Sequence, residues 1–370
     1  MPTRTSNHID FPFLITVILL TGTGFLIFSS AALGLLARDG ATFSSVAANQ
    51  ALFGIIGGSI ALWVISRLDY RFINKYSLYF FIAAIILTCL TFVPGIGLTL
   101  KGATRWIEIA GYTFQPAEIL KGATVVFLAS YFATHYKQAG EFRRGFLPLV
   151  VILGIAAVPM ALQPDNDGIM VLSAAAVAIF FSAGGKVRHL LILAGIGILG
   201  AVIAILMQPY LLSRITTFMN PDADPQVAGF QVQQSLIAIG SGGVFGKGFG
   251  QSIQKFSYLP EPIGDSVFAV AAEEFGFVGS VFLVMLFLAF LGTGLRIAAR
   301  AQDRFGGLVV VGLVVLIATQ AFVNIASLLG LFPLSGLPLT FISHGGTALF
   351  IALAEVGIIL SISRKMKSDA

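Results

Sequence analysis

Charge is scarce in this sequence. Asp, Glu, Lys and Arg make up 11% of its 370 residues, where a water-soluble domain carries about a quarter. With 57% hydrophobic residues and 33 Phe, a soluble globular fold is excluded, because no single core could hide that much apolar surface. Cysteine is nearly missing too. Cys89 stands alone inside an apolar run, so no intrachain disulfide can form. The four histidines, His8, His135, His189 and His344, are scattered with no two at ligand spacing, which argues against a histidine-built metal site. No internal repeat or appended soluble domain is visible. The first apolar run is too long for the core of a cleavable signal and reads as a span. Residues 241–248, SGGVFGKG, fall short of a P-loop: Ser replaces the first Gly, Gly replaces the final Ser or Thr, and no strand precedes them. These glycines read as sites of close backbone approach, with Lys247 as a solvated charge.

What the sequence has in quantity is long apolar runs. They fall at about 11–37, 46–66, 76–96, 117–136, 146–162, 168–184, 190–208, 266–295, 306–331 and 341–363, each near the length needed to cross a hydrocarbon core. The chain reads as an all-α polytopic membrane protein, one domain over 1–370 with ten spans. A long loop, about 209–265, separates spans seven and eight. With both termini inside, fifteen of the 22 basic residues fall in the cytoplasm, as the positive-inside rule expects. The net charge of +5 is then anchoring, with membrane lipids and not nucleic acid as the partner. Eleven of the seventeen acids fall on or near the outer side, the place to look for chemistry.

Four of those acids crowd into residues 258–274, YLPEPIGDSVFAVAAEE. Pro260 and Pro262 stiffen the approach, Gly264 permits a turn, and Asp265 is expected as the N-cap of the eighth span. Glu273 and Glu274, about two turns deeper, read as buried hydrogen-bonding residues. The preceding loop predicts a short helix over 230–239. Glu118 and Lys121 share a helical face at i, i+3, either as a structural ion pair or as the wall of a functional cavity, with Pro116 suited to the helix start. Lys101, Arg105, Trp106 and Tyr112 suit an interfacial belt or a grip on an anionic pyrophosphate. His344, near the outer end of the last span, suits a structural hydrogen bond.

Four segments together carry a resemblance: residues 214–279, then 102–122 (GATRWIEIAGYTFQPAEILKG), 163–168 (QPDNDG) and 333–346 (PLSGLPLTFISHGG). In order and across the whole chain they resemble the FtsW/RodA/SpoVE (SEDS) family. QSIQKFSYLPEP is closer to its division-type FtsW branch. The resemblance implies a peptidoglycan glycosyltransferase that polymerises lipid II on the outer face of the cytoplasmic membrane, with a class B penicillin-binding protein as partner. It implies Asp265 as the essential catalytic acid of the large loop, and Glu118 with Lys121 as a pair beside the central cavity. Asp165 falls on the acid of the Pro-Asp motif, while Lys101, Arg105, Lys255 and His344 are expected on the substrate side. The expected base is Asp265, with Arg or Lys, with or without a divalent cation (Mg²⁺ or Mn²⁺), neutralising the leaving pyrophosphate. A lipid II flippase and a non-catalytic divisome scaffold are the alternatives. The chain departs from the family's usual pattern at His344 (Tyr), Thr340 (Pro), Ser266 (Phe) and Asp167 (Gly).

Overall fold

The computed structural model describes residues 9–36, 40–100, 103–109, 112–220 and 228–366. Among these, eight helices are long and apolar enough to cross a membrane, and two shorter apolar helices complete the ten. In chain order the spanning helices are α1 (Phe11–Leu36), α2 (Val46–Arg67), α3 (Ser77–Phe92), α4 (Pro116–Thr134), α5 (Phe142–Leu162), α6 (Asn166–Ser182) and α7 (Val187–Met207). The long loop contributes α8 (Pro209–Met219), α9 (Ala228–Ser241), which contains the expected 230–239 helix, and α10 (Gln254–Ser257). Then come the spans α11 (Val267–Arg300), α12 (Arg304–Leu328) and α13 (Gly346–Ser363).

The few acids fall where helices start. Asp10 accepts a hydrogen bond from the Phe13 amide, Asp165 from Gly168 and Asp303 from Gly306, at 3.0, 3.2 and 2.8 Å. Each satisfies an amide that the first turn would leave bare. Pro116 opens α4, where a missing N–H costs nothing. The last span begins at Gly346 and not near 341, because residues 340–345 form turns and bends before it.

Helix α12 lies at the centre, against α11, α6 and α4, while α13 packs on α2 and α1 on α11. At the other extreme, no residue in the central window of α7 is buried. Between α3 and α4 the chain adds a small antiparallel meander, β1 (Gly97–Leu100), β2 (Ala103–Ile109) and β3 (Tyr112–Phe114), with Leu98 opposite Trp106 and Ile107 opposite Phe114. Sequence reading treated this stretch as interface without strands; the fold is all-α apart from it.

The expected eighth span is broken. At Gly276 the backbone takes φ 66° and ψ −164° inside α11. The glycine-rich segment replaces the helical bonds lost there. Lys247 and Gly248 donate to the carbonyls of Glu273 and Glu274, at 3.0 and 2.9 Å, and Phe277 and Val278 donate to Gly243 and Val244, at 2.9 and 3.1 Å. Non-helical backbone survives in a membrane protein only when protein groups satisfy it. The approach is so close that a Cβ at Gly276 would stand 2.3 Å from the Gly246 nitrogen. Gly276→Ala should therefore cost about 3 kcal/mol or more. Thermal unfolding in detergent checks this against Gly292→Ala, where an added Cβ meets nothing within 4 Å; equal melting of the two would refute the account.

Candidate functional site

Asp265 lies in a tight turn between α10 and α11, half-exposed at one end of the bundle. The fold grips this turn by its backbone. The carbonyl of Ile263 accepts from the His344 amide at 2.6 Å, that of Gly264 from the Ser343 hydroxyl at 2.6 Å, and that of Asp265 from the Asn324 amide at 2.7 Å. The carboxylate itself accepts from Gln231 of α9 at 3.3 Å, and the same Gln231 nitrogen lies 3.0 Å from the Ser266 hydroxyl. This corrects the N-cap expectation: Ser266 holds the cap position of α11, without a side-chain cap. Asp265 stands one residue earlier, and its carboxylate meets the Gln231 side chain.

A second polar cluster sits deeper. Lys121 is buried, 2.9 Å from Glu118, and donates to Gln320 at 2.8 Å. Gln320 in turn reaches the Pro338 carbonyl at 3.3 Å. Glu118, Gln320, Ser343 and Glu355 line a cavity of about 20 Å³, room for roughly one water. One helix joins the two clusters. Gln320 and Asn324 are one turn apart on α12; the first meets Lys121, and the second holds both Asp265 and the Leu337 carbonyl, at 2.8 Å. Sequence reading missed Gln231, Gln320 and Asn324. The signal for the last two was a pair of amides four residues apart inside an apolar helix.

Asp165 is buried as the cap of α6. Burial pushes its carboxyl above the usual range, opposed by the charges of Lys121 and Arg105. Arg105, half-exposed on β2, does not pair with that carboxylate directly. It donates to the carbonyls of Gln163, at 2.7 Å, and Pro164, fixing the backbone that aims Asp165. Asp167, one of the departures, accepts from Arg214 of α8 and from the Gly336 amide, both at 3.0 Å. A carboxylate there ties α6 to the long loop and to the segment before α13, a role Gly could not fill. Lys101 lies outside the described residues.

The structure corrects the expectations for Lys255 and Lys247. Lys255 does not face a substrate. It is fully buried, 2.7 Å from Glu274, and bonded to the Ser30 hydroxyl and the Gly250 carbonyl at 3.0 and 2.9 Å. Lys247 is not simply solvated, since it pairs with Glu273 at 2.7 Å. Glu273 also accepts from the Ser252 hydroxyl and the Ile253 and Gln254 amides. The two deep acids thus anchor the glycine-rich segment and α10, as buried hydrogen-bonding residues. The ring of His344 stacks on Phe28 at 6.2 Å, and its Nε2 is buried with no hydrogen-bond partner among the described residues. Burial holds the imidazole below its ordinary pKa, against an upward pull from Glu261. His344 meets the Asp265 turn through its backbone amide.

Comparison with known proteins agrees with this architecture. The family model described as "Cell cycle protein", FtsW/RodA/SpoVE, matches residues 11–368. The chain is 38% identical to "Stage V sporulation protein E" of Bacillus subtilis over 351 residues, covering 95% of each chain. It is 36% identical to "Probable peptidoglycan glycosyltransferase FtsW" of Geobacter sp. strain M18 over 370 residues, covering 99% of this chain and 100% of the other. A chain in a peptidoglycan synthase complex has the same fold, with TM-score 0.79 at 24% identity over 96% of this chain and 98% of that one. So does the rod shape determining protein RodA of Thermus thermophilus, with TM-score 0.68 at 23% identity over 98% of both chains.

Proposed function

Because this chain belongs to the FtsW/RodA/SpoVE family of cell cycle proteins, we propose that it is a peptidoglycan glycosyltransferase that polymerises lipid II during cell-wall synthesis. The observation that carries the reading is Asp265, a half-exposed carboxylate on a turn tied down through three successive carbonyls. Preorganisation of this kind is what a general base requires.

Lipid II holds its sugar through an α-linked pyrophosphate, and the new glycan bond is β, so the reaction inverts. The acceptor hydroxyl attacks the anomeric carbon from the face opposite the pyrophosphate. Its proton passes to the Asp265 carboxylate as the C–O bond to pyrophosphate breaks, and undecaprenyl pyrophosphate leaves with the electron pair. Arg105 and Lys101 are the side chains suited to hold the departing phosphates. Glu118, Lys121 and Asp165 are the polar residues suited to support the substrate side, with His344 held beside the turn. A divalent cation such as Mg²⁺ or Mn²⁺, when bound with the substrate, would supply positive charge against the departing pyrophosphate. Among the described residues, no three His, Cys, Asp or Glu gather as a metal site.

The chain lies in the bacterial cytoplasmic membrane with both termini inside, and the Asp265 end faces outward. The basic residues Arg67, Lys75, Arg144 and Arg304 at the opposite ends of their helices support this orientation. A class B penicillin-binding protein is the natural partner, in line with the synthase complex of the structural neighbour. A flippase would need a polar path for a headgroup, whereas the cavity lined by Glu118 and Glu355 has room for about one water.

The test is a gel assay for glycan polymer from purified lipid II, with and without the partner and Mg²⁺. Polymer from the wild type is expected; none with the cognate partner and Mg²⁺ would overturn the reading. Gln231→Ala removes a hydrogen bond to the base and should slow turnover about tenfold, the worth of one such bond. The melting temperature should change little. Unchanged turnover would show that Gln231 does not position Asp265.

A further inference from the structure

A second site lies at the end of the bundle away from Asp265. A cleft of about 550 Å³ opens between the end of α4, the segment leading into α5 and the start of α12, a volume within the range of small-ligand sites. Arg304 begins the helix whose Asn324 holds the Asp265 turn, which separates the two sites by about 30 Å. Eight residues line the cleft. Four of them, His135, Lys137, Arg144 and Arg304, can be positively charged, and none is an acid.

Four other bases at this end have partners. Lys365 pairs with Asp69 and Arg296 with Asp10, Arg71 bonds Gln302, and Arg67 covers Trp63. Lys137, Arg144 and Arg304 are exposed, and none forms an ion pair among the described residues. Their setting is nonetheless ordered by aromatic residues. Arg304 lies 3.9 Å over the Tyr136 ring, Tyr131 stacks on His135 at 4.4 Å, and the Tyr131 hydroxyl donates to the Arg144 carbonyl at 3.0 Å. Two guanidinium groups and an ammonium lining one cleft, with no acid in its lining, suit a phosphate, which arginine grips through paired donors. Beside them Phe142, at the entry to α5, is 56% exposed and offers an apolar surface where an acyl chain would run. Basic pockets between membrane helices commonly take phosphorylated headgroups.

We propose that this cleft binds the phosphate of an anionic phospholipid headgroup in the leaflet at this end of the bundle. The site is separate from the glycosyltransfer chemistry, and its test needs no catalysis.

Native mass spectrometry of the delipidated full chain, titrated with phosphatidylglycerol, cardiolipin or phosphatidylcholine, reads the site directly. The triple variant Lys137→Gln/Arg144→Gln/Arg304→Gln should lose anionic-lipid binding by about fivefold for each charge removed, with phosphatidylcholine binding unchanged. The control Arg67→Gln/Lys75→Gln/Arg188→Gln removes as many charges at the same end outside the cleft. An equal loss in both, or no loss in either, would overturn the site, since general attraction to the membrane then suffices. Inorganic phosphate, titrated in lipid-free detergent by calorimetry, separates the sources. Phosphate binding lost in the triple variant, without preference for anionic lipid, overturns the lipid source and leaves a site for soluble phosphate. Absence of both, including occupation by an acidic protein segment alone, overturns the proposal. If the triple variant misfolds on thermal unfolding, Arg304→Gln alone should still show the fivefold loss.

Discussion

Asp265→Asn should reduce glycan polymerisation at least about 100-fold, the lower end of what a positioned general base supplies. Asp265→Ala should do the same, and both proteins should melt close to the wild type. The structure explains why activity and stability separate here. Asn324 holds this residue through its carbonyl, and Ser343 and His344 hold the two carbonyls before it. None of these bonds involves the carboxylate, and Asp265 does not cap α11. Exchange of the carboxylate for an amide of equal size therefore removes the proton acceptor and leaves the turn in place. Polymer yield from purified lipid II with the partner present, read beside the melting temperature, checks the expectation. Normal polymerisation by the Asn variant would remove Asp265 from the reaction. A large drop in melting temperature would mean that the carboxylate supports the fold after all.

Lys255→Met should have the opposite profile, a loss of about 3–5 kcal/mol in stability with turnover per folded molecule little changed. Lys255 and Glu274 are both buried, 2.7 Å apart, and Ser30 of α1 bonds to each. Removal of one partner leaves a carboxylate buried without its counter-charge, which is far costlier than loss of the pair together. The double variant Lys255→Met/Glu274→Gln should accordingly recover much of the melting temperature lost in the single variant. Thermal unfolding in detergent measures both. A Lys255→Met protein that melts normally but needs more lipid II for half-maximal rate would instead restore Lys255 to the substrate side.

These two residues lie ten apart in one loop and are both polar, yet their expected roles diverge because their surroundings do. Nothing in residues 251–265 marks Lys255 as interior. Its burial depends on Ser30 and Glu274, which are 225 and 19 positions away along the chain. The interfacial meander was missed for a related reason. Strands this short depend on cross-strand partners more than on an alternating pattern of their own, and Leu98, Trp106 and Ile107 carry no separate signal.

The ten spans, their order, the long loop and the position of Asp265 at its end followed from the sequence by itself. Transfer into hydrocarbon depends on the summed hydrophobicity of some 20 consecutive residues, so a one-dimensional reading of α1 or α12 is enough to find it. The concentration of acids over 258–274 and the family resemblance were visible in the same way. Only the tertiary structure decided the break at Gly276, the closure of that break by the glycine-rich segment, and the division of the four acids into one half-exposed carboxylate, two buried anchors and Glu261. It also decided that Gln320 and Asn324 of α12 join the Lys121 cluster to the Asp265 turn. Hydrophobicity adds up along the chain, whereas a buried charge or an unwound turn is stable only through partners brought in from elsewhere, and those partners exist only once the helices have packed.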